Sequence, residues 1–282
     1  MAEPTSTMSA PQARSFDYSN LRLRAISAGI LIPVVLISVW VGGWLFVTLL
    51  IAAVALLARE WALMAAKAAP IRAALPIACA VAVAVLAAKF GLVRTAWLLL
   101  PLGAAGAAMI AMTRGLSDRP ADEAFGVLYI GAPAVALEWL DGTGGRAWVF
   151  ALFFVAWAAD SAAFAAGTIL KGPKLWPRVS PKKTWSGLVV GLIAGVAAAV
   201  VWAWWRPVAG GPSVAWAPWV GLLAALATMG GDLWESMLKR RFGVKDSGDL
   251  IPGHGGLLDR VDGLMFAVLA VAGARLAEVL GA

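Results

Sequence analysis

Long apolar stretches recur along the chain from Leu21 to Ala282, with only short polar segments between them. A helix needs about 20 apolar residues to cross a bilayer, and several of these stretches reach that length. The chain is 61% hydrophobic and only 14% charged, whereas about 25% of the residues in an ordinary soluble domain are charged. The sequence therefore predicts an all-α, polytopic integral membrane protein.

About nine apolar spans can be counted, and they cover residues 23–41, 44–58, 71–88, 95–112, 124–140, 147–170, 187–205, 214–235 and 263–280. The first 20 residues are polar and predict a flexible cytosolic tail. The apolar run from Ile26 to Leu50 is too long for a cleaved signal peptide, so we interpret it as membrane helix.

The basic residues are distributed unevenly between the breaks that separate these spans. If the N-terminus is cytoplasmic, most of the 23 lysines and arginines fall on the cytoplasmic side, in or beside breaks 59–70, 113–123, 171–186 and 236–262. Cytoplasmic loops of membrane proteins carry an excess of Lys and Arg, so this distribution supports that orientation. The net charge of +7 suits anionic membrane lipids or phosphates, and no nucleic-acid partner is expected. We expect the protein in the inner (plasma) membrane of a bacterium.

Acidic residues concentrate near the C-terminus, at Asp232, Glu235, Asp246, Asp249, Asp259 and Asp262. Two pairs have i, i+3 spacing, which places both members on one helix face, and the two pairs could converge on one cation. Oxygen ligands with no thiolates and a single histidine favour Mg²⁺, and a second cation is left open. Asp160 lies inside an apolar span, where a carboxylate is costly and usually functional.

Two further segments could bind phosphate. Pro252–Gly256 reads PGHGG, and its glycines would let backbone amides approach a ligand; the alternative is a tight turn. Break 171–186 offers a compact set of donors suited to a polyphosphate, namely Ser180, Lys182, Lys183 and Thr184. The alternative for this break is a basic anchor to the membrane surface.

The stretch from Ser236 to Asp262, SMLKRRFGVKDSGDLIPGHGGLLDRVD, resembles the signature of the phosphatidate cytidylyltransferases, also called CDP-diacylglycerol synthases. GDLWES at Gly231 to Ser236, SPKKTW at Ser180 to Trp185 and the intramembrane Asp160 are also similar to this family. Ser186 departs from the pattern, because the family usually has glutamate after the tryptophan.

The resemblance implies transfer of CMP from CTP to phosphatidic acid, which gives CDP-diacylglycerol and pyrophosphate in phospholipid biosynthesis and requires Mg²⁺. The residues expected to hold metal are Asp160, Asp232, Asp259 and Asp262. Those expected to be catalytic are Asp232, Asp246, Asp259, Lys239, Arg240 and His254. Those expected to bind substrate are Ser180, Lys182, Lys183, Thr184, Ser236, Lys245, Gly255, Gly256 and Arg260.

We accordingly divide the chain after the tail into N-terminal membrane helices, 21–145, and a C-terminal catalytic membrane region, 146–282. The site should lie at the cytoplasmic interface and open sideways to lipid, and a homodimer is left open. Competing hypotheses are a transporter of ions or anions, another Mg-dependent membrane phosphotransferase such as a CDP-alcohol phosphotransferase, and a family member without activity.

Overall fold

The computed structural model describes residues 18–205 and 210–281, and in these residues the chain forms nine helices and one two-stranded hairpin. The helices are α1 (Tyr18–Val41), α2 (Gly43–Ala65), α3 (Pro70–Lys89), α4 (Val93–Arg114), α5 (Pro120–Gly144), α6 (Arg146–Ile169), α7 (Trp185–Trp205), α8 (Ala217–Arg241) and α9 (Leu258–Gly281). The strands β1 (Lys174–Trp176) and β2 (Ser180–Thr184) lie between α6 and α7. The predicted helical membrane fold is confirmed. The predicted flexible tail lies outside the described residues as far as residue 17, and α1 begins at Tyr18.

Within the described residues, eight helices are long and apolar enough to cross a membrane, and α8 is the exception. The C-terminal half of α8 carries Asp232, Glu235 and three consecutive basic residues, which lower its mean hydropathy. Its 25 residues nevertheless give a length of about 37 Å, enough for a hydrocarbon core about 30 Å thick. Helix α8 packs against both α7 and α9, and its Lys239 forms an ion pair with Asp259 of α9.

Consecutive helices run in alternating directions, so the helix ends and the loops lie at two opposite ends of the bundle. Polar contacts are found at both ends. At one end, Trp61 near the C-terminus of α2 donates to the carbonyl oxygen of Asp122 at 3.0 Å, and Arg241 forms an ion pair with the Asp122 carboxylate. At the opposite end, Lys89 and Glu138 pair at 3.4 Å. We call the first of these two ends the site end. It contains the C-termini of α2 and α8 and the N-termini of α5 and α9.

Glycines let α8 approach both of its neighbours closely. A Cβ atom at Gly221 would lie 2.5 Å from the carbonyl oxygen of Gly195 on α7. A Cβ atom at Gly231 would overlap the carbonyl oxygen of Asp262 and lie 2.9 Å from the Cα atom of Gly263 on α9. Small residues at such crossings allow membrane helices to pack backbone against backbone. This packing brings the acidic face of α8 against the first turns of α9.

An aromatic cluster fixes the end of α8 to the N-terminal helices. The fully buried ring of Trp61 lies 5.6 Å from Phe125, 5.5 Å from Tyr129 and 5.5 Å from Phe242, measured between ring centroids. Phe242 immediately follows α8, so the loop after this helix starts from a rigid anchor. Aromatic pairs at these distances contribute about 0.5–1.5 kcal/mol each beyond the area they bury.

The polar breaks are more ordered than the sequence predicted. Helix α2 continues to Ala65, past the predicted end of the second span, and break 236–262 shortens to a loop over 242–257 because α8 and α9 extend into it. Basic residues in the last turn of α8 and Asp259 in the first turn of α9 complement the helix dipoles and favour these extensions. Break 171–186 folds into the hairpin, whose register pairs Lys174 with Thr184.

Candidate active site

A cavity of about 840 Å³ opens at the site end, between α6, the β-hairpin, α8 and α9. Its polar and charged lining consists of Asp160, Thr168, Lys174, Ser180, Lys182, Lys183, Thr184, Asp232, Glu235, Ser236, Lys239, Asp246, Asp259, Arg260 and Asp262. Five segments, namely α6, the hairpin, α8, the loop after α8 and α9, therefore supply predicted site residues to one cavity. The expectation that Asp232 and Asp259 meet at the same end of the bundle agrees with this arrangement.

The hairpin reaches the acidic face of α8 through Lys183. The ammonium group of Lys183 forms an ion pair with the carboxylate of Asp232 and lies 3.4 Å from the sulfur of Met229. Asp232 is one turn before Ser236 on α8, so the same helix face continues into the signature segment. The neighbouring Lys182 is exposed while it lines the cavity, which leaves its charge accessible to a ligand.

Three carboxylates from three helices stand close together in the cavity. Asp232 on α8 faces the first turns of α9, because a Cβ atom at Gly263, next to Asp262, would lie 3.0 Å from the Oδ1 atom of Asp232. Asp160 on α6 lines the same cavity as Asp232 and Lys183. Carboxylates that share one cavity repel one another, and a cation beside them offsets that repulsion. Lys183 supplies one such charge.

Asp259 is held differently, because protein donors occupy both of its oxygens. Its Oδ2 atom accepts hydrogen bonds from the amide and hydroxyl of Ser247, at 3.0 and 2.9 Å, and from the amide of Gly256 at 3.2 Å. Its Oδ1 atom lies 2.5 Å from Lys239, which also pairs with Glu235 at 2.6 Å. Asp259 thus ties the loop over 242–257 to α8 and α9.

The arrangement of the carboxylates indicates which of them could bind the predicted Mg²⁺. Among the residues that the structure describes, no three His, Cys, Asp or Glu side chains form a group ready to hold a metal ion. Mg²⁺ is commonly bound by one or two carboxylates, with substrate phosphates and waters completing the shell. Asp232, Asp262 and Asp160, which line one cavity, fit that kind of site, whereas the oxygens of Asp259 already have protein donors.

A protein-family model described as the cytidylyltransferase family matches residues 22–275 of this chain. The chain belongs to that family. A phosphatidate cytidylyltransferase of Brucella suis is 40% identical over 265 residues, which cover 92% of this chain and 96% of the relative. Shorter matches to proteins of the same name cover 45% of this chain at 38% identity, in Mycobacterium bovis, and 50% at 39% identity, in Rickettsia felis. The match includes the N-terminal helices as well as the signature segment.

Five of the predicted site residues of this cytidylyltransferase do not line the cavity, namely Arg240, Lys245, His254, Gly255 and Gly256. Arg240 and Lys245 are exposed at the end of α8 and in the following loop. The imidazole Nδ1 atom of His254 lies 2.9 Å from the hydroxyl of Ser27 on α1. The site roles of these residues stay predictions.

The PGHGG segment of the cytidylyltransferase forms a tight turn that α1 holds from outside. Ile251 and Gly255 bridge the turn, with the Ile251 amide 2.8 Å from the Gly255 carbonyl oxygen. Gly253 and Gly255 have φ angles of +77° and +89°, a region that favours glycine. A Cβ atom at Gly256 would overlap the hydroxyl oxygen of Ser247. The turn therefore requires its glycines for its own conformation.

Ser186, the departure from the family pattern, closes the base of the hairpin. Its hydroxyl donates to the carbonyl oxygen of Lys171 and lies 3.0 Å from the hydroxyl of Thr184. Thr184 in turn accepts the amide of Gly187 at 3.1 Å, in the first turn of α7. A short hydroxyl side chain at this position therefore links the two ends of the hairpin segment to α7.

Sequence reasoning missed Glu60, whose side chain is fully buried at the C-terminal end of α2. Its carboxylate accepts the amides of Leu257 and Leu258, at the start of α9 and beside Asp259. The break predicted over residues 59–70 placed Glu60 in a polar segment at the cytoplasmic surface. The available signal was a carboxylate two residues after the 44–58 apolar span, with apolar residues resuming at Trp61.

Proposed function

We propose that this cytidylyltransferase is a phosphatidate cytidylyltransferase, which transfers CMP from CTP to phosphatidic acid and releases pyrophosphate. The observation that carries the proposal is one cavity in which Lys183 of the hairpin pairs with Asp232 of α8 and which Asp262 of α9 also lines. The Brucella suis relative, which aligns over nearly all of the chain, bears the same name.

The reaction requires little covalent chemistry from the protein. An oxygen of the phosphatidate phosphate attacks the α-phosphorus of CTP, and the bond from that phosphorus to the β-phosphate oxygen breaks. Negative charge then builds on the pyrophosphate that leaves. Catalysis of such transfers depends mainly on positioning and on positive charge near the phosphates.

Basic side chains of the cavity are suited to that task. Lys182 and Lys183 would hold the phosphates of CTP from the hairpin, and Arg260 would do so from α9. The hydroxyls of Ser180 and Ser236 would bind remaining phosphate oxygens. Removing a single aligned donor from such a site typically lowers turnover by about 10²–10³-fold.

Asp232 and Asp262 would hold Mg²⁺, with Asp160 as a further acidic group. A bound Mg²⁺ would neutralise phosphate charge and orient the triphosphate for in-line attack. Asp232 would at the same time keep Lys183 in place through their ion pair. Asp259 and Lys239 would shape the cavity wall, because each is bonded to groups of the loop or of α8.

Phosphatidate would enter the cavity sideways from the bilayer. Phe164 on α6 lines the cavity and is 77% exposed, so an apolar surface lies directly at its edge. Trp185, which follows the hairpin, is 51% exposed and suits the boundary between lipid and water. The acyl chains would stay in lipid while the phosphate reaches the lysines.

We also propose that the site end faces the cytoplasm in a bacterial plasma membrane, where CTP is available. The excess of basic residues at this end supports the orientation. Cysteine labelling on cells would test it: Asp249→Cys combined with Cys79→Ala should react with a membrane-impermeant reagent only after the cells are opened, and reaction on intact cells would contradict this orientation.

The decisive experiment combines purified protein, phosphatidate and Mg²⁺ with CTP labelled at the α-phosphate. We expect label in the lipid fraction, dependent on phosphatidate, and we expect CTP labelled at the γ-phosphate to give labelled pyrophosphate only. Label that stays in the aqueous phase with a folded protein would contradict the proposal. Ion flux in liposomes without CTP would instead favour a transporter.

A further inference from the structure

Glu60 connects the N-terminal helices to the start of α9. Its side chain is fully buried. The Oε1 atom accepts the amide of Leu257 at 2.8 Å, and the Oε2 atom accepts the amide of Leu258 at 2.7 Å. Both bonds span almost 200 residues of sequence, from α2 to the segment that carries Asp259 and Asp262.

These bonds satisfy amides that the start of a helix leaves without partners. The first four N–H groups of an α-helix have no acceptor within the helix, and a nearby Ser, Thr, Asp or Asn usually caps them. The residues directly before α9 are Gly256 and Leu257, whose side chains offer no acceptor. Glu60 supplies the cap from another helix, and its negative charge complements the positive end of the α9 dipole.

Glu60 also packs against the loop that precedes α9. A Cβ atom at Gly248 would lie 3.2 Å from Glu60 Oε1, so the carboxylate rests on the backbone there. The hydroxyl of Ser247 lies 3.4 Å from Glu60 Oε2 and 2.9 Å from Asp259 Oδ2. Ser247 thus stands between the two carboxylates and links Glu60 to a wall of the cavity.

We propose that Glu60 is a positioning residue, which fixes the loop over 242–257 and the first turn of α9 and so determines where Asp259 and Asp262 stand. Glu60 does not line the cavity, so it acts through these groups and does not touch a substrate. The consequence for turnover rests on the proposed function, whereas the consequence for the loop does not.

The first test is amide hydrogen exchange of the full-length protein in detergent, measured by mass spectrometry. In Glu60→Ala, amides in peptides that cover Leu257 and Leu258 should exchange about tenfold faster or more, because their charged acceptor is gone. Peptides from α3 and α4 should not change. Glu60→Gln, which keeps one carbonyl oxygen and nearly the same volume, should give a smaller increase and covers the case in which the alanine variant does not fold.

A matched control is Glu138→Ala. Glu138 is also a buried carboxylate of a membrane helix, but it pairs with Lys89 at the opposite end of the bundle. This variant should perturb α3 and α5 without faster exchange at Leu257 and Leu258. Unchanged exchange there in both Glu60 variants, or equal changes there in the Glu138 variant, would overturn the proposal.

The second test measures formation of CDP-diacylglycerol per folded molecule. The value of kcat/KM should fall about 10–100-fold in Glu60→Ala, the range seen when a group that orients active-site ligands is removed. The loss should be smaller in Glu60→Gln and absent in Glu138→Ala. If the wild-type protein forms no labelled lipid, the proposed function fails, and the exchange result alone decides the role of Glu60.

Discussion

Lys239 offers a sharp test of how charge is balanced in the cavity wall. Its ammonium group lies 2.6 Å from Glu235 and 2.5 Å from Asp259, and the side chains of these carboxylates are only 2% and 7% exposed. Lys239 itself is 15% exposed, so solvent screens the three charges weakly. We predict that Lys239→Met strongly destabilises the folded protein, because it leaves two buried carboxylates without their shared cation.

The expected magnitude follows from the burial of the partners. Removing one member of a buried ion pair costs about 3–5 kcal/mol, most of it from the charge that stays behind. Methionine keeps the apolar stem, so loss of packing adds little. Adding Glu235→Gln to Lys239→Met removes one of the two unpaired carboxylate charges. The double variant should therefore recover part of the lost free energy of unfolding.

The assay is the free energy of unfolding in detergent for the single and double variants. The control is Lys67→Met, since Lys67 is exposed and makes only a 3.4 Å contact with the Phe242 carbonyl oxygen. Its effect should stay within about 0.5 kcal/mol. If Lys239→Met were as stable as wild type, or if the double variant recovered nothing, the charge balance inferred from the structure would be incorrect.

Three further outcomes are expected. Gly231→Ala should destabilise the protein by about 1–3 kcal/mol and reduce turnover, because its Cβ atom would overlap the backbone of Asp262. A Cβ atom at Gly230 meets open space, so Gly230→Ala should change neither stability nor turnover, as thermal unfolding and the lipid-labelling assay would measure. Lys183→Met should lower turnover by about 10²–10³-fold, while Arg114→Met, exposed at the end of α4, should leave it unchanged. Removal of divalent ions with a chelator should stop CTP turnover, and added Mg²⁺ should restore it.

The membrane fold could be predicted because the bilayer constrains a sequence strongly. Each crossing needs a long apolar segment, so the nine helices appear as nine apolar stretches, including α8 despite its polar end. The signature residues could also be placed at one end of the bundle, because they flank two helix boundaries. In the structure, Asp160, Lys183 and Asp232 line one cavity.

The contacts that hold the site could not be predicted in the same way. Glu60 bonds to amides almost 200 residues away, and no local pattern signals such a partner. His254 turns to Ser27 on α1, although its position between glycines and carboxylates suggested a ligand. The hairpin is too short and too highly charged for the alternation of apolar and polar residues that marks a strand.

The central claim is that carboxylates of α8 and α9, together with a hairpin lysine, form the centre that transfers CMP to a lipid phosphate. The most direct measurement is the rate at which the α-phosphate of CTP enters phosphatidate in Asp232→Asn, compared with Asp249→Asn. Asp249 is an exposed carboxylate outside the cavity lining. We predict a loss of about 10²–10³-fold for Asp232→Asn and a rate close to wild type for Asp249→Asn. A folded Asp232→Asn protein that labels lipid at the wild-type rate would contradict the claim.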